Sequence, residues 1–236
     1  MLKEAIILAG GFGTRLQSVV SDVPKPMAPV NNVPFLNYIF DYLAFYKIER
    51  VVLSTGYLSE KISECYKDKF KGIKISYTKE ETPLGTGGGI RLALEKCTTK
   101  NILVLNGDSF FDVDLQAYYP LHAQFNSDCS LALRKVDNAA RYGTIKLSDT
   151  SAIKEFKEKD GIEKEGLING GVYILNRELF LSKTKPDIAF SIEKDFFENR
   201  INELHIFGFE YDGYFIDIGI PEDYKKAQDD FKRFKY

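Results

Sequence analysis

The sequence predicts an α/β fold, a Rossmann-like domain with a mixed, mostly parallel sheet flanked by helices. Strand-like and helix-like segments alternate through the first 110 residues, the pattern of parallel strands joined by helical crossovers. Several strand-like runs there are continuously apolar, as strands buried on both faces must be. After residue 140 the runs become shorter and alternate with polar residues, the style of antiparallel strands.

In chain order, "EAIILA" (4–9) is a buried strand stopped by glycine, and "PFLNYIFDYLAFYKI" (34–48) is a helix. Pro34 suits the start of that helix, and Phe35, Ile39, Phe40 and Leu43 share one face. "RVVLST" (50–55) is a strand. "LSEKISECYKDKF" (58–70) is a helix with Ser59 as cap and Ile62, Cys65 and Tyr66 as a narrow apolar stripe. "GIKISYT" (72–78) is a strand, "GGGIRLALEKC" (87–97) a helix and "NILVLNGD" (101–108) a strand ending in polar residues. "YGTIKL" (142–147), "AIKEFKE" (152–158) and "LINGGVYIL" (167–175) follow as antiparallel strands. "SIEKDFFENRI" (191–201) is a helix, "ELHIFGFEY" (203–211) and "GYFIDIG" (213–219) are strands, and "PEDYKKAQDDFKRFKY" (221–236) is a closing amphipathic helix. There is no repeat and no linker-like stretch. A single domain over 1–236 is expected, with a nucleotide-binding half (1–115) and an acceptor half (116–236) sharing a sheet.

Composition narrows the function classes. The chain is 44% hydrophobic and 28% charged with a net charge of −2, so no basic field points to nucleic acid. Cys65, Cys97 and Cys129 lie far apart, an odd, scattered set that favours reduced, unreactive thiols and a cytoplasmic home. Two histidines, His122 and His205, are too few for a zinc cluster. The apolar run near the start is too short for a signal peptide, and no window is apolar enough to span a membrane.

The most informative stretch is "LAGGFGTRLQSVVSDVPKPMAP" (8–29). Gly11 and Gly13 are followed by Leu16 where a dinucleotide fingerprint needs a third glycine, and Gly13-Thr14-Arg15 is not the Gly-Lys-Ser/Thr of a P-loop. A glycine-rich loop after a first strand still offers backbone N–H groups to a base or to phosphates. Arg15 adds a forked cation for phosphate, and Lys25 adds a point charge held between Pro24 and Pro26. A plain strand-to-helix turn would need neither. In parallel sheets ligands sit beyond the carboxyl ends of strands, and residues 10–15 and 106–108 follow two of them.

"LAGGFGTRL" with "PKPMAPV" resembles the signature of the sugar-1-phosphate nucleotidyltransferases. "ETPLGTGGGI" (81–90), "LNGDSFFDVDL" (105–115), "FKEK" (156–159), "INGGVYIL" (168–175) and "YFIDIGIPEDY" (214–224) match in the family's order. The resemblance covers nearly the whole chain. It is nearest to the branch of D-glycero-α-D-manno-heptose 1-phosphate guanylyltransferases, with mannose-1-phosphate guanylyltransferases beside it. It implies the nucleotide-diphospho-sugar transferase fold and an in-line reaction, in which a sugar 1-phosphate attacks the α-phosphate of a nucleoside triphosphate and pyrophosphate leaves. Two anions must meet there, so cations and a Mg²⁺ ion, or Mn²⁺ in its place, are expected.

The resemblance also assigns residues. Arg15 and Lys25 are the catalytic cations, and Asp108 and Asp217 hold the metal. Asp217, between Ile216 and Ile218, faces away from both. Leu8, Ala9, Gly10, Gly11, Gly13, Thr14, Arg15, Glu80, Gly85, Thr86 and Asn106 bind the nucleotide, with Glu80 reading the base edge and Thr86 also a candidate helix cap. Lys25, Gly143, Glu158, Lys159 and Asn169 bind the sugar phosphate. Asp160-Gly161 stands where the family has proline after the Glu-Lys pair. Asp112 and Asp114 read as loop and cap residues. GTP and the heptose phosphate are the expected substrates. A mannose, uridylyl or thymidylyl enzyme is the alternative, and an inactive regulatory subunit should lack one of Arg15, Lys25, Asp108 or Asp217. A homodimer is compatible with the resemblance. The end at residue 236 leaves no room for the β-helix that some relatives append.

Overall fold

A computed structural model describes residues 1–11, 16, 19–20, 22–157 and 161–236. β1 (Glu4–Ala9) shows why its sequence is apolar without alternation. Ile7 packs in one core with Phe35, Phe40 and Leu103, whereas Ile6 packs in another with Ile90, Val104 and Phe197. Successive side chains go to opposite faces, so a strand covered on both sides needs an apolar residue at each step.

The chain continues through β2 (Pro29–Val30), β3 (Val33–Pro34), α1 (Phe35–Phe45), β4 (Arg50–Thr55), α2 (Ser59–Tyr66), β5 (Lys69–Phe70), β6 (Ile73–Lys79), α3 (Gly85–Leu94) and β7 (Asn101–Asn106). β7, β1, β4 and β6 lie side by side in that order and are all parallel. α1 buries the expected Phe35, Ile39, Phe40 and Leu43. α2 departs from expectation. It stops at Tyr66 because Lys67 takes a φ of 51° and Lys69–Phe70 pairs with β6. Ser59 is its first residue rather than its cap, and the cap position falls on Leu58. Ile62 and Tyr66 are buried but Cys65 is exposed, since this short helix buries one i, i+4 ridge. Cys97 and Cys129 are in the core.

β8 (Ser109–Phe111), α4 (Leu115–Gln124), β9 (Cys129–Val136), β10 (Thr144–Leu147), β11 (Ile153–Lys157), β12 (Gly166–Asn176), α5 (Arg177–Lys183), a π-helical segment at Ile192–Glu198, β13 (Ile206–Glu210), β14 (Phe215–Asp217) and α6 (Pro221–Asp230) complete the described elements. β10 is antiparallel to both β11 and β12, as the alternation predicted. β12 joins the two styles of sheet. It pairs with β7 through residues 172–176, with β10 at Ile168, and with β9 along both stretches. β14 pairs only with β8, outside the main sheet. The closing helix is shorter than predicted and ends at Asp230. A 3-10 turn follows, and Lys235 and Tyr236 fasten onto the Asp112 carboxylate. Asp114 caps α4 by accepting N–H bonds from Gln116 and Ala117.

Candidate active site

Lys25 opens a single 3-10 turn (Lys25–Met27) set by its flanking prolines. Pro24 sits at φ −62° before the turn, and its carbonyl accepts the Met27 N–H at 2.7 Å. With φ fixed on both sides, little backbone entropy is left to lose when the ammonium is held in place. The side chain is 9% exposed and points at Asp108 and Asp217, with Nζ 2.5 Å from Asp108 Oδ2 and 3.5 Å from Asp217 Oδ1. Gly219 permits this approach, because a Cβ there would lie 2.4 Å from Lys25 Nζ.

The two carboxylates are neighbours because of the small β8–β14 ladder. Asp217 pairs with Ser109, and the Ile218 N–H bonds to the Asp108 carbonyl at 3.0 Å. Residues 109 positions apart in sequence thus share one site. Ile216 and Ile218 are buried while Asp217 turns the other way, as the alternation required. Asp217 Oδ1 also accepts the Gly219 N–H at 2.7 Å. Two hard-oxygen donors already converge on one positive charge, so the pair fits a divalent cation. The described residues add no third carboxylate to it. That suits an ion such as Mg²⁺, which takes one or two carboxylates and completes its shell from phosphates and water.

A cavity of about 540 Å³ lies beyond the carboxyl ends of the parallel strands. Leu8, Gly10, Gly11, Glu80, Gly85, Thr86, Asn106 and Asp108 line it, which brings together eight residues singled out from the sequence. Ala9 is buried beneath. Glu80 is half-buried, and its Oε2 accepts the Leu84 N–H at 2.8 Å. Burial holds its carboxyl above the usual range, with the Leu84 bond pulling the other way. Thr86 does not cap α3. The helix begins at Gly85, and Thr86 Oγ1 instead accepts the Ile192 N–H at 3.0 Å, while the Gly87 N–H donates to the Phe190 carbonyl. The segment around 190 thus covers the start of α3 and ties it to the second half of the chain.

A second cavity of about 390 Å³ is lined by Gly143 and Asn169, as expected, and by Arg141, Tyr142, Glu193 and Lys194, which the sequence reading passed over. Asn169 is held on three sides. Its Nδ2 donates to the Tyr173 hydroxyl and to Glu193 Oε1, both at 2.6 Å, and its Oδ1 accepts the Gly171 N–H. Gly171 has φ +73°, and a Cβ there would lie 2.6 Å from Asn106 Nδ2. Only glycine combines that backbone with that contact. Asn106 of the first cavity and Asn169 of the second thus both meet Gly171, at the irregular stretch of β12 between Asn169 and Tyr173. Gly13, Thr14, Arg15, Glu158 and Lys159 lie outside the described residues. Tyr57 and Lys79 are further lining residues of the first cavity that went unread. Tyr57 had a usable signal, since it stands two residues beyond the end of β4.

A parallel sheet with a cation and paired carboxylates at its strand ends, flanked by two cavities, is the architecture of a nucleotidyl-transfer enzyme. Residues 4–233 match the nucleotidyl transferase family, and the chain belongs to it. The chain is 48% identical over 231 residues to D-glycero-alpha-D-manno-heptose 1-phosphate guanylyltransferase of Aneurinibacillus thermoaerophilus, a match spanning 98% of this chain and 99% of that protein. It is 45% identical over 221 residues to the protein of the same name from Campylobacter jejuni, spanning 94% and 96%. The crystal structure of HddC from Yersinia pseudotuberculosis complexed with GMP-PN superimposes with a TM-score of 0.85 at 34% identity, covering 98% of this chain and 100% of that one.

Proposed function

We propose that this chain transfers a guanylyl group from GTP to D-glycero-α-D-manno-heptose 1-phosphate, giving GDP-heptose and pyrophosphate. The near-full-length identity to two heptose 1-phosphate guanylyltransferases supports this assignment of substrates. The observation that carries the chemistry is the meeting of Lys25, Asp108 and Asp217, with Asp108 also lining the first cavity.

The acceptor phosphate is anionic at neutral pH and needs no strong base. One of its oxygens attacks the α-phosphorus of GTP, and the bond from that phosphorus to the β-phosphate oxygen breaks as pyrophosphate departs. Lys25, by family resemblance, holds the two phosphates together against their repulsion. Arg15, by family resemblance, neutralises the departing pyrophosphate. Asp108 and Asp217 would hold Mg²⁺, which supplies Lewis-acid stabilisation of charge on the phosphates. The glycine turn and Glu80 position the nucleoside. Guanine presents N1–H and N2–H donors on one edge, and the Glu80 carboxylate is an acceptor for them. Gly143 and Asn169, with Glu158 and Lys159 by resemblance, hold the sugar phosphate. Phosphorylated sugars and nucleotides place the activity in the cytoplasm, in keeping with three free cysteines. Among the described residues no helix is long and apolar enough to cross a membrane.

The test is a pyrophosphate-release screen of GTP, UTP, CTP and dTTP against heptose, mannose and glucose 1-phosphates. Each buried polar group left unpaired costs about 1–3 kcal/mol, so GTP should lead the pyrimidine nucleotides by roughly 10–100-fold in kcat/KM. Faster turnover of UTP or dTTP with every sugar phosphate would overturn the choice of GTP.

A further inference from the structure

Among the described residues, Tyr57 is the one aromatic side chain lining the first cavity. It is also among the few large hydrophobic side chains left exposed, at 39%. Its place is set by β4. The strand ends at Thr55, and the backbones of Gly56 and Gly10 then touch, with a Cβ on Gly56 lying 2.8 Å from the Gly10 carbonyl oxygen. That contact sets Tyr57 on the same cavity wall as Gly10 and Gly11. The next residue, Leu58, has φ 52° and ψ 36°, a left-handed conformation that is uncommon for a branched side chain. The chain thus turns sharply just after Tyr57 and departs into α2.

The position along the cavity matters as much as the residue type. Asp108 follows β7, and Tyr57 follows β4, with β1 between them. Two strand spacings separate the ends, about 10 Å. With the α-phosphate at the Lys25–Asp108 end, the ribose spans that gap and the base arrives beside Tyr57. Glu80 and Pro83 line this same end of the cavity. A carboxylate can read a base edge but does nothing for its faces, and a flat aromatic ring does what the carboxylate cannot.

We propose, building on the guanylyl-transfer reading above, that Tyr57 is the stacking platform for the nucleobase and a determinant of the preference for a purine. Glu80 reads the edge and Tyr57 binds the face. Base–aromatic stacking is sequence-tolerant but strongest for the larger ring system, so its contribution is greatest for guanine.

The chain contains no tryptophan, so Tyr57→Trp installs a single reporter. Its fluorescence should be quenched on titration with GTP and less so with UTP. Replacing Tyr57 with alanine should weaken GTP binding by roughly 5–150-fold, the range of one lost base–aromatic stack. Tyr57→Phe, which keeps the ring, should stay within about threefold of the parent. A ribose triphosphate lacking a base should bind the parent and Tyr57→Ala equally, which a merely structural role for Tyr57 would not produce. Thermal melts check that each variant folds. Unchanged GTP affinity in Tyr57→Ala, or an equal loss for the base-free triphosphate, would overturn the proposal. If the parent chain itself neither binds GTP nor releases pyrophosphate from it, the guanylyl reading fails instead.

Discussion

The two cavities are built by different rules. Each wall of the first lies at or just past the end of one strand of the parallel centre: Leu8 and Gly10–Gly11 at β1, Gly56–Tyr57 at β4, Lys79–Thr86 at β6 and Asn106–Asp108 at β7. The second draws Arg141–Ile145 from the approach to and start of β10, Phe156–Lys157 from β11, Asn169 from β12 and Glu193–Lys194 from the π-helical segment. Parallel strands all end on the same side of a sheet, so short segments just past each strand are brought together by topology alone. Antiparallel strands end on opposite sides, and a pocket among them depends on which strands pair and in what register. The first kind of site is written locally in the sequence, and the second is written in the assembly.

The sharpest probe is the carboxylate pair that meets at Lys25, of which Asp108 lines the first cavity. Asp217→Asn should lower kcat by on the order of 10²–10³-fold, the usual effect of losing one preorganised electrostatic group. Its amide oxygen can still accept the Gly219 N–H, so circular dichroism should be unchanged while Mn²⁺ affinity falls. Retention of full activity would separate the pair from the chemistry.

This contrast also explains how much of the molecule was legible. β1, α1, β4, β6 and β7 follow from their patterns, and eight lining residues of the first cavity were singled out through the family resemblance, with Gly10, Gly11, Asn106 and Asp108 also marked by their place at or after strand ends. Tyr57 was missed only because the rule applied to β1 and β7 was not applied to β4. Glu193 had no such signal, because what brings it to Asn169 is the packing of a π-helical segment against β12. α4 contains Pro120, a residue that argues against helix in any local reading. The apparent caps Ser59 and Thr86 were plausible by residue type, but each helix starts earlier, with Leu58 and Leu84 at the cap positions, and Thr86 Oγ1 serves the Ile192 N–H instead.

A control outside both cavities is His122, buried on α4 with Nδ1 2.9 Å from Ser130 Oγ. Burial pushes its pKa down to about 4. The unfolded chain binds that proton near 6.5, so between the two values only the unfolded state is protonated. Stability is therefore full above pH 6.5 and falls with pH through the window, by about 2 kcal/mol at pH 5. Thermal melts from pH 7.5 to 5 should show this acid limb flattened in His122→Gln. An identical limb in the variant would assign the acid sensitivity elsewhere.

Smaller effects should separate the cavities from one another. In Gly87→Ala the new methyl meets the Phe190 ring, as close as 2.1 Å. Overpacking of this kind costs about 1–3 kcal/mol, and each kcal/mol is roughly 2–4 °C of Tm at this size. Because that contact joins α3 to the segment beside Glu193, KM for both substrates should rise. A rise for GTP alone would show that the cavities are not coupled through it. Asn169→Ala should raise only the sugar-phosphate KM. The loss of hydrogen bonds worth about 1 kcal/mol each amounts to roughly five- to tenfold, and an equal change in GTP KM would place Asn169 on the nucleotide side.

The central claim is that donor and acceptor meet at one site and react directly. Among the described residues neither histidine nor cysteine lines either cavity, so none of these offers itself as a covalent carrier of the nucleotidyl group. Turnover of GTP bearing a chiral α-thiophosphate, with the configuration of the GDP-sugar product read by ³¹P NMR, tests this most directly. Inversion at phosphorus is the expected result of a single in-line displacement. Retention would mean two displacements through an enzyme-bound intermediate, and would contradict it.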